Sequence, residues 1–73
     1  MSEPEMTPVV SSNVESIGYD EQSQQVYVRF LNGGVYIYKG VPEQEYQNLL
    51  LAPSVGSYLH RNFKNVYPYE RIE

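Results

Sequence analysis

The chain has 73 residues and a formal net charge of −4, with five Lys and Arg against nine Asp and Glu. A chain of this length forms one domain, and such a domain buries only about 60% of the surface that it exposes when unfolded. It has no cysteine and one histidine, which excludes a disulfide, a thiolate metal site and a multi-histidine metal site. We therefore predict no metal and no cofactor. We also predict a cytoplasmic protein, because a chain without cysteine suits a reducing compartment. No apolar run approaches the roughly 20 residues of a membrane span, and the acidic N-terminus does not resemble a targeting signal.

Three strands and a tail are predicted for the first half of the chain. Residues 1 to 7 are polar and without a period, so we expect a disordered tail. Strands are predicted over 14–19, 25–31 and 35–39, where β-branched and aromatic residues recur, most clearly in the run QVYVRFL. The fold class is therefore α+β, with a three-stranded antiparallel meander followed by two short helices on one face.

The hairpin at Asn32-Gly33-Gly34 decides which tyrosines face the core. A two-residue loop pairs Phe30 with Val35, whereas a three-residue loop with a bulge pairs Phe30 with Tyr36. A shift of one residue moves every side chain to the other face of the sheet. Both registers fit the sequence.

Two helices are predicted for the second half. Pro42 suits a first helical turn, and Pro53 ends the first helix. Ser54 is the expected N-cap of the second helix, whose apolar stripe is Val55, Tyr58, Leu59, Asn62, Phe63 and Val66. Gly56 is expected to permit close packing, with exposure of backbone N–H groups to an anion as the alternative. The single domain spans 8–69, and residues 70–73 are expected to fray.

Helices on one face leave apolar groups on the other face of the sheet. In the three-residue register these surround Arg29, and in the alternative register Tyr36 and Tyr38 replace Val35 and Ile37. Large apolar patches are rare on monomers. We therefore expect the segment Pro8 to Ser12, a second copy of the chain, or a ligand to cover this face. The predicted function is a non-catalytic interaction module that binds a protein partner or itself. Its candidate interface is Tyr27, Arg29, Leu31, Val35 and Ile37.

A series of short motifs, in this order, resembles the KTSC domain family over roughly residues 9 to 70. The motifs include Ile17-Gly18-Tyr19-Asp20, Gly34-Val35-Tyr36-Ile37-Tyr38, Ala52-x-Ser54-x-Gly56-x-Tyr58 and Tyr67-Pro68-Tyr69. The family is named for a domain at the C-terminus of some lysyl-tRNA synthetases and also includes stand-alone bacterial and phage proteins. The resemblance implies a small α+β fold, no catalytic residues and a suggestion of RNA binding.

The alternative function is therefore that of a weak RNA-binding module. Tyr36 and Tyr38 are candidates for stacking on bases, as aromatic side chains do on sheets that bind single strands. His60, Arg61 and Lys64 form the candidate cluster for phosphate contacts. No nucleophile–base pair and no metal-ligand set can be assembled, so we predict that the protein is not an enzyme.

Overall fold

The computed structural model describes residues 4–73 as a five-stranded antiparallel sheet with two helices. In chain order the elements are β1 (Thr7–Pro8), β2 (Val14–Asp20), β3 (Gln25–Phe30), β4 (Val35–Tyr38), α1 (Glu43–Leu50), α2 (Val55–Asn62) and β5 (Tyr69–Arg71). The strands lie side by side in the order β1-β2-β3-β4-β5. The α+β class is confirmed. The prediction of three strands is wrong, because a short edge strand flanks the central meander on each side.

The two edge strands correct both predicted ends of the domain. Thr7 pairs with Ile17 in β2, and Pro8 is tolerated there because an edge strand needs no donor on its outer side. At the other edge Glu70 pairs with Ile37, and its carboxylate lies 3.1 Å from the Lys39 ammonium. Residues 7, 70 and 71 therefore belong to the sheet rather than to a disordered tail or a frayed end. Of the predicted tail, residues 1–3 lie outside the described part of the chain.

The β3–β4 hairpin adopts neither of the two predicted registers. Val28 pairs with Tyr36, and Val26 pairs with Tyr38. The Phe30 N–H donates to the Gly34 carbonyl at 2.8 Å, so the loop is residues 31–33, and Gly33 takes the positive φ of 94°. This register differs by two residues from the predicted three-residue alternative. A two-residue difference preserves the alternation, so the side chains face the sides that this alternative predicts.

One face of the sheet, here called the helix face, forms the core with α1 and α2. The buried apolar cluster contains residues from both helices and from the central strands: Val14, Ile17, Val26, Val28, Tyr38, Val41, Tyr46, Leu49, Val55, Leu59 and Phe63. Pro42 is the N-cap of α1 rather than part of its first turn. Ser54 caps α2 as predicted, because its hydroxyl oxygen accepts from the Ser57 N–H at 3.3 Å. Val66 lies beyond the end of α2 and is 61% exposed, so it does not extend the stripe.

The opposite side, here called the back face, is partly covered by the chain itself. Gly18 pairs with Tyr27 on this face. A Cβ at Gly18 would lie 2.7 Å from the Met6 sulfur and 2.8 Å from the Glu5 carbonyl oxygen. Residues 4–6 therefore cross the back face at Gly18. The predicted cover, the segment Pro8 to Ser12, instead follows the edge of β2, with the Val9 N–H donating to the Glu15 carbonyl. No helix within residues 4–73 is long and apolar enough to cross a bilayer.

Candidate functional site

A cavity of about 340 Å³ opens between the helix face of the sheet and α2. Strands β3 to β5 supply an aromatic side, and α2 with the turn after it supplies a cationic side. The lining residues are Asn13, Phe30, Asn32, Tyr36, Tyr38, Gly56, Leu59, His60, Lys64 and Tyr69. Two groups of candidate residues that are far apart in the sequence therefore meet in one concave site.

The aromatic side of the cavity is a continuous series of ring contacts. The Tyr36 ring lies 5.4 Å from Phe30, edge to face, and 5.8 Å from Tyr69. The Tyr69 ring also lies 5.6 Å from Tyr38. Tyr69 is 51% exposed, Tyr36 is half-buried and Tyr38 is buried at 7% exposure. Tyr36 and Tyr69 therefore offer ring surface to a ligand, while Tyr38 mainly supports them from the core.

Tyr38 belongs to the buried core as well as to the lining of the cavity. Burial, and to a smaller extent the neighbouring hydroxyls of Tyr69 and Tyr36, raise the pKa of the Tyr38 phenol above its ordinary value. Tyr38 also packs edge-on against Phe63, with ring centroids 5.5 Å apart. Its principal role is in the core, which is the usual position for a tyrosine with one polar end.

The three residues of the predicted basic cluster, His60, Arg61 and Lys64, do not all line the cavity. His60 and Lys64 line the cavity, whereas Arg61 lies outside it. Arg61 instead lines two other depressions near the start of α2, one of which also contains Ser12, Ser54 and His60. Within residues 4–73 no Asp or Glu is among the lining residues of the cavity. The cavity is therefore locally cationic although the chain as a whole is acidic.

Two asparagines form the polar end of the cavity, and internal hydrogen bonds fix both. The Asn32 Oδ1 accepts from the Gly34 N–H at 2.9 Å, inside the β3–β4 loop. The Asn13 Oδ1 accepts from the Ser11 hydroxyl at 3.1 Å. The Ser11 oxygen in turn accepts from the backbone N–H groups of Asn13 and Val14. Ser11 therefore supports the turn that leads into β2.

Gly56 brings α2 close to this turn. A Cβ at Gly56 would lie 2.5 Å from the Asn13 Oδ1 and 3.3 Å from the Ser11 hydroxyl oxygen. At these separations a side chain at Gly56 would require the Asn13 amide to move. The predicted close packing at Gly56 is confirmed, although the neighbour is the turn before β2 rather than a strand of the sheet.

Four lining residues are not among the predicted site residues: Asn13, Phe30, Asn32 and Tyr69. Phe30 and Asn32 enter the prediction only as hairpin residues. Tyr69 sits in the Tyr67-Pro68-Tyr69 motif, whose two tyrosines have the same two-residue spacing as Tyr36 and Tyr38, and this spacing was the available signal. Its place beside Tyr36 depends on β5, which no periodic pattern indicates.

The candidate protein interface on the back face is less exposed than expected. Val35 is fully buried, and Tyr27, Arg29 and Ile37 are half-buried. Leu31, at 58% exposure, belongs to the hairpin loop rather than to the strand. The back face is therefore less exposed than the prediction of an uncovered sheet face assumed. The role of these five residues as an interface stays a prediction.

Comparisons with known proteins agree with one family. The KTSC domain model matches residues 10–67. The crystal structure of a KTSC domain protein from Yersinia pestis superposes with a TM-score of 0.89 at 35% sequence identity, covering 94% of this chain and 97% of that one. An uncharacterized protein of Stutzerimonas stutzeri is 41% identical over 64 residues, which is 86% of this chain and 90% of the relative. A protein of Tsukamurella paurometabola is 40% identical over 55 residues, covering 75% and 82%.

The chain belongs to the KTSC domain family. The predicted resemblance is thereby confirmed, and so is the small α+β fold that it implies.

Proposed function

We propose that this domain is a non-catalytic module that binds single-stranded RNA through the cavity between β3–β5 and α2. The observation that carries the proposal is that one cavity brings Tyr36 and Tyr69 together with His60 and Lys64. Proteins that bind single strands combine aromatic surfaces, on which bases stack, with cationic side chains that follow the backbone. Both components lie here within one site.

The size and charge of the site fit a short contact with RNA. A cavity of about 340 Å³ accommodates about one nucleotide, at the lower end of the usual range for small-ligand pockets. His60 and Lys64 supply at most two phosphate contacts. The logarithm of affinity for a single strand falls with the logarithm of salt concentration by about 0.7 per phosphate contact, so we expect a slope near −1.4 at most. The proposed binding is therefore weak and depends mainly on stacking.

The protein-binding alternative has less support. It requires a continuous apolar back face, but Val35 is buried and residues 4–6 lie over Gly18 on that face. Residues that are already covered by the chain itself contribute little apolar area to a partner. Self-association through the back face therefore serves as the competing outcome in the experiment.

The test is a titration of isotope-labelled protein with a short oligouridylate at low salt, followed by amide chemical shifts. We expect shifts at Tyr36, Tyr69, His60 and Lys64, and none at Tyr27 or Ile37. Shifts confined to the back face as protein concentration rises would instead support self-association. An absence of shifts with RNA would contradict the proposal.

Two pairs of matched variants sharpen this test. Lys64→Ala removes a cation from the cavity, and Arg61→Ala removes the same charge from the same part of the chain outside the cavity. We expect Lys64→Ala to weaken binding several-fold and Arg61→Ala to have a much smaller effect. Tyr69→Ala should weaken binding about tenfold, since stacking contributes about 1–3 kcal/mol per base. Tyr27→Ala on the back face is its control. Equal losses in both members of each pair would show that the cavity is not the site.

A further inference from the structure

Arg71 lies beside the aromatic side of the cavity. It is the last residue of β5 and pairs with Tyr36 in β4. Directly paired residues of an antiparallel sheet have their side chains on the same face, with Cβ atoms about 4.5–5.5 Å apart. Tyr69, two residues before Arg71, is on that face as well and lines the cavity. The Arg71 side chain therefore extends from the helix face of the sheet, next to the two rings that are available to a ligand.

The guanidinium group of Arg71 lies at the rim of the cavity. A Cβ at Gly34 would lie 3.7 Å from Arg71 Nη2 and 3.3 Å from Asn32 Oδ1, so the two side chains meet near the same point. Asn32 lines the cavity, whereas Arg71 does not. The guanidinium is therefore next to the cavity but outside it, on the side formed by β5 and the β3–β4 loop.

One hydrogen bond orients this guanidinium and leaves its outer edge available. Arg71 Nε donates to the Glu73 main-chain oxygen at 2.8 Å, and within residues 4–73 the two Nη groups have no hydrogen-bond partner. These nitrogens carry N–H donors whose planar arrangement matches two oxygens of a phosphate. The neighbouring Glu70 side chain is on the back face, where its carboxylate lies 3.1 Å from the Lys39 ammonium. Arg71 itself is exposed and therefore accessible to a ligand.

We propose that Arg71 binds a phosphate of the RNA strand where the strand leaves the cavity over β5. This inference rests on the proposed function. His60 and Lys64 come from the α2 side of the cavity and Arg71 from the sheet side, so cationic groups lie on both sides of the site. Every internal nucleotide of a strand has a phosphate before it and another after it, and this cavity accommodates about one nucleotide. One of these two phosphates therefore lies outside the cavity, within reach of a cation at its rim.

A phosphate contact has a measurable signature in the salt dependence of binding. Each such contact to a single strand steepens the slope of log affinity against log salt concentration by about 0.7. A further contact from Arg71 therefore makes the wild-type slope about 0.7 steeper than His60 and Lys64 alone allow. Stacking of a base on the guanidinium plane, the other way in which arginine binds RNA, adds affinity without this change in slope. The slope therefore distinguishes the two kinds of contact.

The test compares Arg71→Gln with Arg61→Gln, in which another exposed arginine outside the cavity receives the same substitution. The affinity for a short oligouridylate is measured over a range of salt concentrations, and the Tm of each variant is the control for folding. We expect Arg71→Gln to weaken binding several-fold at low salt and to make the slope about 0.7 shallower, whereas Arg61→Gln should change both much less. Weaker binding with an unchanged slope, or equal effects of the two variants, would overturn the inference.

A second measurement uses the wild-type protein and so does not depend on the folding of a variant. The Arg71 Nε–H resonance is followed during the oligouridylate titration at low salt, and we expect it to shift together with the resonances of Tyr36 and Lys64. If Tyr36 and Lys64 shift and the Arg71 resonance does not, the RNA site stands and the assignment of a phosphate contact to Arg71 is wrong. If none of the three shifts, the proposed function is wrong and this inference fails with it.

Discussion

Replacing Gly56 with alanine tests the close contact between α2 and the turn before β2. Alanine in place of glycine within a helix ordinarily stabilises by about 1 kcal/mol. Here the new Cβ would lie 2.5 Å from the Asn13 Oδ1, which is closer than any non-bonded contact tolerates. The Asn13 amide would have to move, which breaks its hydrogen bond with Ser11 at a cost of about 1 kcal/mol. Because Asn13 is exposed, the remaining crowding against the Ser11 oxygen costs about 1 kcal/mol, the lower end of the range for overpacked sites. The sum exceeds the helix gain, so we expect Gly56→Ala to lose about 1 kcal/mol.

The assay is thermal unfolding followed by circular dichroism, with three reference variants. A loss of 1 kcal/mol lowers the Tm of a domain of this size by about 4–8 °C, so the expected effect is readily measured. Ser57→Ala, an exposed position in the same turn of α2, should be neutral or slightly stabilising. Asn13→Ala removes the obstructing oxygen. In the Asn13→Ala background we expect Gly56→Ala to become neutral or stabilising, since the two sites are coupled by direct contact.

A Gly56→Ala variant that is as stable as the wild type or more stable would contradict this prediction. A loss of stability that persists unchanged in the Asn13→Ala background would also refute it, because the penalty would then arise elsewhere.

Three further predictions address other parts of the molecule. Burial raises the pKa of the Tyr38 and Tyr46 phenols above 10.0, so the folded state retains these protons longer than the unfolded state. The stability of the fold should therefore be fully present below pH 10 and fall as the pH rises above it. The measurement is Tm against pH together with tyrosinate absorbance, and a Tm that does not fall above pH 10 would contradict the raised pKa of these two phenols. Tyr58→Phe removes the 3.0 Å hydrogen bond from the Tyr58 hydroxyl to the Glu45 carboxylate, which joins the two helices. We expect it to lower the free energy of unfolding by about 1–2 kcal/mol, measured by chemical denaturation, and an unchanged midpoint would contradict this. Gly18→Ala would place a methyl 2.7 Å from the Met6 sulfur and 2.8 Å from the Glu5 carbonyl oxygen. We expect it to displace residues 4–6, seen as changed amide chemical shifts at residues 5 and 6, whereas unchanged shifts would show that this segment does not lie against Gly18.

The central hairpin shows what local sequence determines and what it does not. The glycines at 33 and 34 correctly indicate a turn, since one of them must take positive φ. Either could do so, and in the folded hairpin it is Gly33, while the Asn32 side-chain oxygen accepts from the Gly34 N–H. No periodic pattern in the sequence indicates this hydrogen bond. The faces of the side chains agree with the three-residue alternative and not with the two-residue one, because registers that differ by two residues keep the same faces. The sequence fits both alternatives and does not decide between them.

The edge strands and the cavity could not be predicted because they depend on long-range pairing. Thr7–Pro8 is too short for an alternating pattern, and Tyr69 follows a proline that signals a chain end rather than a strand. The cavity forms only once β5 places Tyr69 beside Tyr36 and the turn after α2 brings Lys64 to the same cavity. The sequence indicates that aromatic and basic residues are candidates for a binding site, but it does not indicate that they line the same cavity. Arg61 and Lys64 are equally good candidates for phosphate contacts in the sequence, but only Lys64 lines the cavity.

The strand order has a consequence for how the molecule reaches its native state. Since β1 to β4 each lie next to their neighbours in the chain, their three junctions close over short loops. Only the junction between β4 and β5 spans the helical segment, and closing a longer loop costs more chain entropy. Topologies dominated by local contacts fold quickly, so we expect rapid assembly of the first four strands, with the final strand docking last. The aromatic side of the cavity would then be the last part of the molecule to form and, under mild denaturant, the first to open.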